Sequence, residues 1–204
     1  KSGEDFELVD PEDDPRYRNY WTTYHSLMER RGVTPAAART IVRTNTVVIG
    51  AMMVHMKDAD AVICGGVGEF HENMKHIVDI LGLKPGVETA AALNILIMSK
   101  GTFFICDTHV NPDPSIAQIS EMTVMAAEEV RRFGIDPKVA LLSNSNFGSH
   151  SHNSAFKMRA AYQDLCQRAP ELEIDGEMQA DTALSQNVRD TFMPNSTLSG
   201  QANL

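Results

Sequence analysis

Cysteine is scarce, aromatic residues make up only 6% of the chain, and no apolar run approaches membrane-spanning length. Each shortage removes a class of protein. Cys64, Cys106 and Cys166 are odd in number, far apart and set among apolar or helical residues, which predicts buried reduced thiols rather than a disulfide framework. A bilayer span needs about 20 consecutive apolar residues, and a secretory leader needs an apolar segment of its own. Lys1-Ser2-Gly3-Glu4-Asp5 begins neither, so a soluble, cytoplasmic protein without a membrane partner is expected. Positive charge is also short: 18 Lys and Arg stand against 27 Asp and Glu, a formal net charge of -9. That field repels DNA and RNA and argues against a nucleic-acid partner. An anionic ligand would have to be held by local cations and helix ends.

What is present is an alternation of apolar runs with helix-forming sequence. The 204 residues, 43% of them hydrophobic, suffice for one good core or two small ones. Two junctions stand out, Ala61-Val62-Ile63-Cys64-Gly65-Gly66-Val67-Gly68 and Val139-Ala140-Leu141-Leu142-Ser143-Asn144-Ser145-Asn146-Phe147-Gly148-Ser149. Each sets a short strand-like run against small and polar residues ahead of a helix, the arrangement by which α/β proteins turn backbone N–H groups toward an anion. Gly66, Gly68, Ser143, Asn144, Ser145, Gly148 and Ser149 are therefore candidate contacts for a phosphate-bearing small molecule. The first junction has neither the G-x-G-x-x-G spacing of a dinucleotide site nor a P-loop Lys-Ser/Thr, so a tight turn explains it equally well. Lys75, within the following helix, could reach an anion at its mouth or could simply be a surface lysine.

The predicted elements are a helix over 16–31 stopped by Gly32, and a second helix with Thr34 as N-cap and Pro35 at its first position. Ile41, Val48, Ile49, Met52, Met53 and Met56 supply its apolar stripe, with the methionines as core filler. Strand 61–64, helix 72–81, strands 92–98 and 102–106, helix 114–133, strand 139–142, helix 154–168, strand 172–174 and a helix near 182–188 follow. Such alternation predicts a mainly parallel, doubly wound sheet. The turn Lys84-Pro85-Gly86-Val87 divides residues 1–85 from 86–204. The acidic opening, Glu4 to Pro15, and the ending, Leu198 to Leu204, read as the entrance to and exit from a longer protein.

Other constellations carry less. His150 and His152 alternate in a loop without a Cys or carboxylate at ligand spacing, and no G-x-S-x-G elbow supports a hydrolase. Asn111-Pro112-Asp113-Pro114 reads as a helix start with Asp113 as N-cap and Pro114 at the first position. Asp107 and Asn111, at a strand end, remain weak site candidates. Asp175-Gly176-Glu177-Met178-Gln179-Ala180-Asp181 follows another strand, and Gln179 joins the candidate set there.

Val110-Asn111-Pro112-Asp113-Pro114, Leu142-Ser143-x-Ser145-x-x-Gly148-Ser149, Asp175-Gly176-Glu177-Met178-Gln179-Ala180-Asp181 and Pro194-x-Ser196-x-x-x-Gly200-x-Ala202-Asn203 resemble the phosphate acetyltransferase and butyryltransferase family in order and spacing. Pro11-Glu12-Asp13-Asp14-Pro15-Arg16-Tyr17-Arg18, Arg39-x-x-x-Arg43-Thr44-Asn45-Thr46 and Arg131-Arg132-Phe133-Gly134-Ile135 are similar to one branch, the C-terminal phosphotransacetylase-like domain of bacterial hybrid NADP-dependent malic enzymes. The resemblance implies a two-domain α/β fold of the isocitrate/isopropylmalate dehydrogenase type, present as a fragment, with CoA in an interdomain cleft. It implies acetyl-CoA or CoA as an allosteric effector, an N-terminal malic enzyme domain as partner, and a homodimer or higher homo-oligomer. NADP and a divalent metal would belong to the malic domain outside this chain. Active transacetylases resemble Glu-Leu-Arg-Lys where this chain has Ser26-Leu27-Met28-Glu29, and Leu-Arg-Pro-Ala-Leu where it has Met74-Lys75-His76-Ile77-Val78. Met28 offers no charge and Lys75 offers a point charge in place of a bidentate fork, so regulation without acetyl transfer is expected. An active phosphate acetyltransferase is the alternative.

Overall fold

The computed structural model describes residues 5–204, which divide into two compact units, one up to Lys84 and one over Pro85–Leu204. The first unit is helical. Helix α1 spans Tyr17–Met28 and runs into a 3-10 turn, Glu29–Arg31, which Gly32 ends in the left-handed region. Helix α2, Pro35–Thr44, starts as its sequence dictates: the Thr34 hydroxyl accepts the Ala37 N–H at 3.2 Å, and Pro35 occupies the first position.

The predicted single helix continuing through Met56 is instead two helices. Asn45 is extended, and its Oδ1 accepts the N–H groups of Val47 and Val48, so it caps a new helix, α3, Thr46–His55. An asparagine inside an apolar periodic run is more stable as a cap than as a helical residue. Tyr20, Tyr24, Met28, Val42, Val48, Ile49 and Met52 are buried together with Ile80 of α4, Phe70–Leu81. The methionines thus serve as core, with Met56 left partly exposed. Predicted strand 61–64 does not form: these residues are irregular and Ile63 is fully exposed. A strand needs a hydrogen-bonding neighbour, and among the described residues none pairs with this segment.

The second unit carries two small ladders rather than one mainly parallel sheet. Strands β1, Leu93–Met98, and β2, Gly101–Cys106, form an antiparallel hairpin, because the two-residue connection Ser99-Lys100 is too short for a parallel crossover. Strands β3, Lys138–Leu142, and β4, Glu173–Met178, pair in parallel across the crossover helix α6, Asn153–Arg168. Asn203 and Leu204 lie between the ladders: Phe104 N donates to the Asn203 carbonyl and Ala140 N to the Leu204 carbonyl, at 2.7 and 2.8 Å. The Asn203 side chain fixes this register by accepting from Lys138 N and donating to the Asp136 carbonyl.

Helix α5 spans Ile116–Arg132 and buries Ile119, Met122, Ala126, Ala127 and Val130. Its cap is Ser115, in a reciprocal box with Gln118, and not Asp113 as the Pro-Asp-Pro sequence suggested. Ser115 wins because Gln118, three residues on, can return a hydrogen bond to its N–H. The final predicted helix is two short ones, α7, Ala180–Leu184, and α8, Gln186–Phe192, separated by Ser185, which caps the second. Arg189 of α8 is fully buried and donates to the carbonyls of Thr182, Ala183, Leu198 and Gly200, binding both helices to the 198–200 turn. All three cysteines are free. Cys64 and Cys166 are exposed rather than buried, one on the unpaired 61–64 segment and the other on the outer face of α6.

Candidate functional site

The two glycine-bearing loops differ in what they leave available. In the first unit, Gly65 and Gly68 adopt φ of +103° and +85° in an exposed loop ahead of α4. Among the described residues, none of the N–H groups of residues 65–68 donates within the chain, while the Val67 carbonyl accepts from Asn73 Nδ2. Gly66 and Gly68 therefore lie in an exposed loop whose N–H groups are unpaired among the described residues, ahead of a helix N-terminus. Lys75, one turn inside α4, is committed elsewhere: its Nζ and the Arg31 guanidinium both bind the Asp79 carboxylate. Burial pushes the Asp79 carboxyl up, but the hydrogen bonds from Lys75 and Arg31 outweigh it and hold the group below the usual carboxylate range. Met28 is buried among Tyr24, Val42 and Ile80 and presents nothing to solvent.

In the second unit, β3 and β4 end side by side, and their loops build one another. Ser143 N donates to the Met178 carbonyl and Phe147 N to the Glu177 carbonyl. The Ser143 hydroxyl accepts Ser145 N at 2.9 Å, the buried Ser145 hydroxyl accepts His150 N at 3.1 Å, and the Ser149 hydroxyl accepts Asn146 N at 2.9 Å. Gln179 is tied in as well: its N–H donates to Asn146 Oδ1 at 2.8 Å and its amide to the Asn144 carbonyl at 3.2 Å. The structure thus brings Ser143, Asn144, Ser145, Gly148, Ser149 and Gln179 together. It also shows that most of the loop's N–H groups are already satisfied internally, leaving that of Asn144 open among the described residues. A ligand here would meet side chains and the loop surface rather than a ring of bare amides.

Sequence reasoning missed the two residues that organise this loop. Glu177 is fully buried, and its Oε1 accepts Gly148 N at 2.9 Å and Arg159 Nη1 of α6 at 3.2 Å. Arg159 also donates to the His150 carbonyl at 3.5 Å. Periodicity places Arg159 on a helix like any other arginine; only the packing of α6 against β4 puts it behind Gly148. Gly148 has φ of +91°, and a Cβ there would stand 3.6 Å from Arg159 Nη1.

Asn111 does not join this cluster. Its Nδ2 donates to Asp107 Oδ2 and to the Ala90 carbonyl, at 2.7 and 2.8 Å, so the residue fastens the β2 end to the segment before β1. His150 and His152 have ring centroids 6.4 Å apart, and among the described residues no group of three or more His, Cys, Asp or Glu could hold a metal. No described helix is long and apolar enough to cross a membrane. An apolar groove of about 450 Å³, lined by Leu96, Met98, Phe103, Leu142, Ala183 and Leu184, contains none of the predicted site residues.

A family model described as phosphate acetyl/butaryl transferase matches residues 2–204. The chain is 50% identical, over its whole length, to 27% of an NADP-dependent malic enzyme of Escherichia coli (strain K12). It is 52% identical, over 98% of its length, to 26% of an NAD-dependent malic enzyme of Rhizobium meliloti (strain 1021). It thus spans about a quarter of the length of these curated relatives. A phosphotransacetylase from Streptococcus pyogenes has the same fold, with a TM-score of 0.88 at 25% identity over 99% of this chain and 61% of that one.

Proposed function

The chain belongs to the phosphate acetyl/butaryl transferase family, and from that premise we propose that it is the regulatory and assembly domain of a malic enzyme, binding acetyl-CoA as an inhibitor without transferring its acetyl group. The observation that carries this reading is the contrast in identity: 50% along the entire chain to a malic enzyme, against 30–32% to phosphate acetyltransferases. The local chemistry supports it. A transacetylase lowers its barrier with fixed charges, and removing one such contact typically costs about 3–4 kcal/mol, two to three decades in rate. Met28 is buried and uncharged, and Lys75 is engaged by Asp79, so neither supplies a free guanidinium fork.

Oxidative decarboxylation of malate to pyruvate, with NADP or NAD and a divalent metal, belongs on this reading to the part of the protein outside this chain. The two malic relatives differ in the dinucleotide they are named for while sharing this domain, so the domain does not set that choice. Inhibition requires acetyl-CoA to bind the inactive arrangement of the full-length enzyme more tightly than the active one. The assembled enzyme is a homodimer or higher homo-oligomer.

The test is steady-state malate oxidation by the full-length enzyme against acetyl-CoA concentration, with acetyl phosphate formation assayed in parallel. Saturable inhibition without acetyl phosphate is expected. Acetyl phosphate formed at roughly 1–1,000 per second, an ordinary enzymatic rate, would establish the alternative, an active phosphate acetyltransferase, which the shared fold favours.

A further inference from the structure

We infer that Arg159 is the cation with which the 143–149 loop meets a phosphate group of its ligand, and that Glu177 is the residue that positions it. This deepens the acetyl-CoA reading and rests on it. The loop has nearly exhausted its own amides, so whatever attracts an anion there must come from side chains. Asn144, Ser149 and Gln179 are neutral. Among the described residues Arg159 is the one cation bonded to the loop, and it is bound from the inside only: Nη1 is shared between Glu177 Oε1 and the His150 carbonyl, while Nε and Nη2 have no partner among those residues. Its side chain retains 35% of its exposure, whereas that of Glu177 retains none.

This asymmetry is what a preformed anion contact requires. A buried carboxylate is costly unless paired. Glu177 Oε2 lacks a hydrogen bond among the described residues, so Arg159 is the principal compensation for its charge and cannot swing away cheaply. The planar guanidinium, held at Nη1, leaves its Nε–Nη2 edge for a phosphate, with little further loss of side-chain freedom on binding.

The experiment is calorimetric titration of the full-length protein with acetyl-CoA and with acetyl-pantetheine, which lacks the nucleotide phosphates. Arg159→Gln is expected to weaken acetyl-CoA binding by about 10- to 100-fold, the range of a lost charge-assisted contact, and to leave acetyl-pantetheine binding unchanged. Should Arg159→Gln fail to fold because Glu177 is left unpaired, Arg159→Lys keeps the charge and removes the fork. It is expected to bind acetyl-CoA several-fold more weakly, again without effect on acetyl-pantetheine. Wild-type affinity for acetyl-CoA in the folded variant, or an equal loss for both ligands, overturns the assignment of Arg159 while leaving the acetyl-CoA reading intact. Absence of acetyl-CoA binding to the wild-type protein overturns that reading and the assignment with it.

Discussion

Replacing Asp107 by Asn should destabilise the second unit, and by an amount its hydrogen bonds allow to be worked out. Oδ1 accepts the N–H groups of Ala92 and Val110 at 3.0 and 3.2 Å, and that of His109 at 3.4 Å. Oδ2 accepts Asn111 N and Asn111 Nδ2, both at 2.7 Å. Asparagine retains one acceptor oxygen but sets an NH2 group against the two Asn111 donors, so the two shortest bonds are lost. Charge-assisted bonds contribute about 1.5–3 kcal/mol each, non-additively, and at a half-buried site water replaces part of the loss; about 2–3 kcal/mol is expected at neutral pH. The pH dependence has a definite sign. Burial raises the Asp107 pKa, but donation from Ala92, Asn111 and Val110 outweighs it, so the folded value lies below the ordinary one. The contribution is then fully present above the unfolded pKa of about 3.9 and is lost as pH falls through the folded value. Urea unfolding of wild type and Asp107→Asn, followed by circular dichroism, should show the full gap at pH 7 and a shrinking one below pH 4. A gap under about 0.5 kcal/mol at pH 7, the size of an ordinary surface substitution, or one that widens in acid, would refute the reasoning.

Gly176→Ala should be severe, because φ is +144° and the new Cβ would lie 2.7 Å from the Leu141 carbonyl oxygen in the β3–β4 ladder; thermal unfolding should show a loss of about 3 kcal/mol or more. Gly134→Ala, with φ of +73° and open space around the site, should cost only about 1 kcal/mol by the same measurement. Ser115→Ala should cost about 1 kcal/mol through loss of the capping box, whereas Asp113→Ala, whose side chain is 86% exposed, should change the urea midpoint little. Lys75→Ala should leave both acetyl-CoA inhibition of malate oxidation and uninhibited turnover nearly unchanged, because Asp79 already engages the lysine, and clearly weakened inhibition would return Lys75 to the effector site.

Features decided by neighbouring residues were legible in the sequence. Thr34 with Pro35 starts α2, and Gly32 ends the preceding helical segment, because capping and left-handed backbone are local chemistry. The family was legible for a similar reason: its motifs are loops of small and polar residues at strand ends, whose side chains are fixed by the turns they make. Ser143, Ser145 and Ser149 do hold such turns. Local signals failed where a strand needs a distant partner, or where another side chain nearby takes up a group that could have met a ligand. The pattern at 61–64 is that of a strand, but strand formation depends on a partner elsewhere in the fold. Asn111 and Lys75 carry suitable chemistry for a ligand, yet Asp107 and Asp79 bind them.

The sequence by itself therefore determined the stop at Gly32, the start at Thr34 and Pro35, and the family, since these follow from the conformational preferences of consecutive residues. Only the tertiary structure decided which loop keeps its amides free, which polar residues are consumed internally, and that Arg159 and Glu177 stand together behind Gly148. The hydrogen bonds that Glu177 accepts from Gly148 and Arg159 join residues 29 and 18 positions apart, and a bond made across such a distance in the chain is set by packing rather than by local spacing.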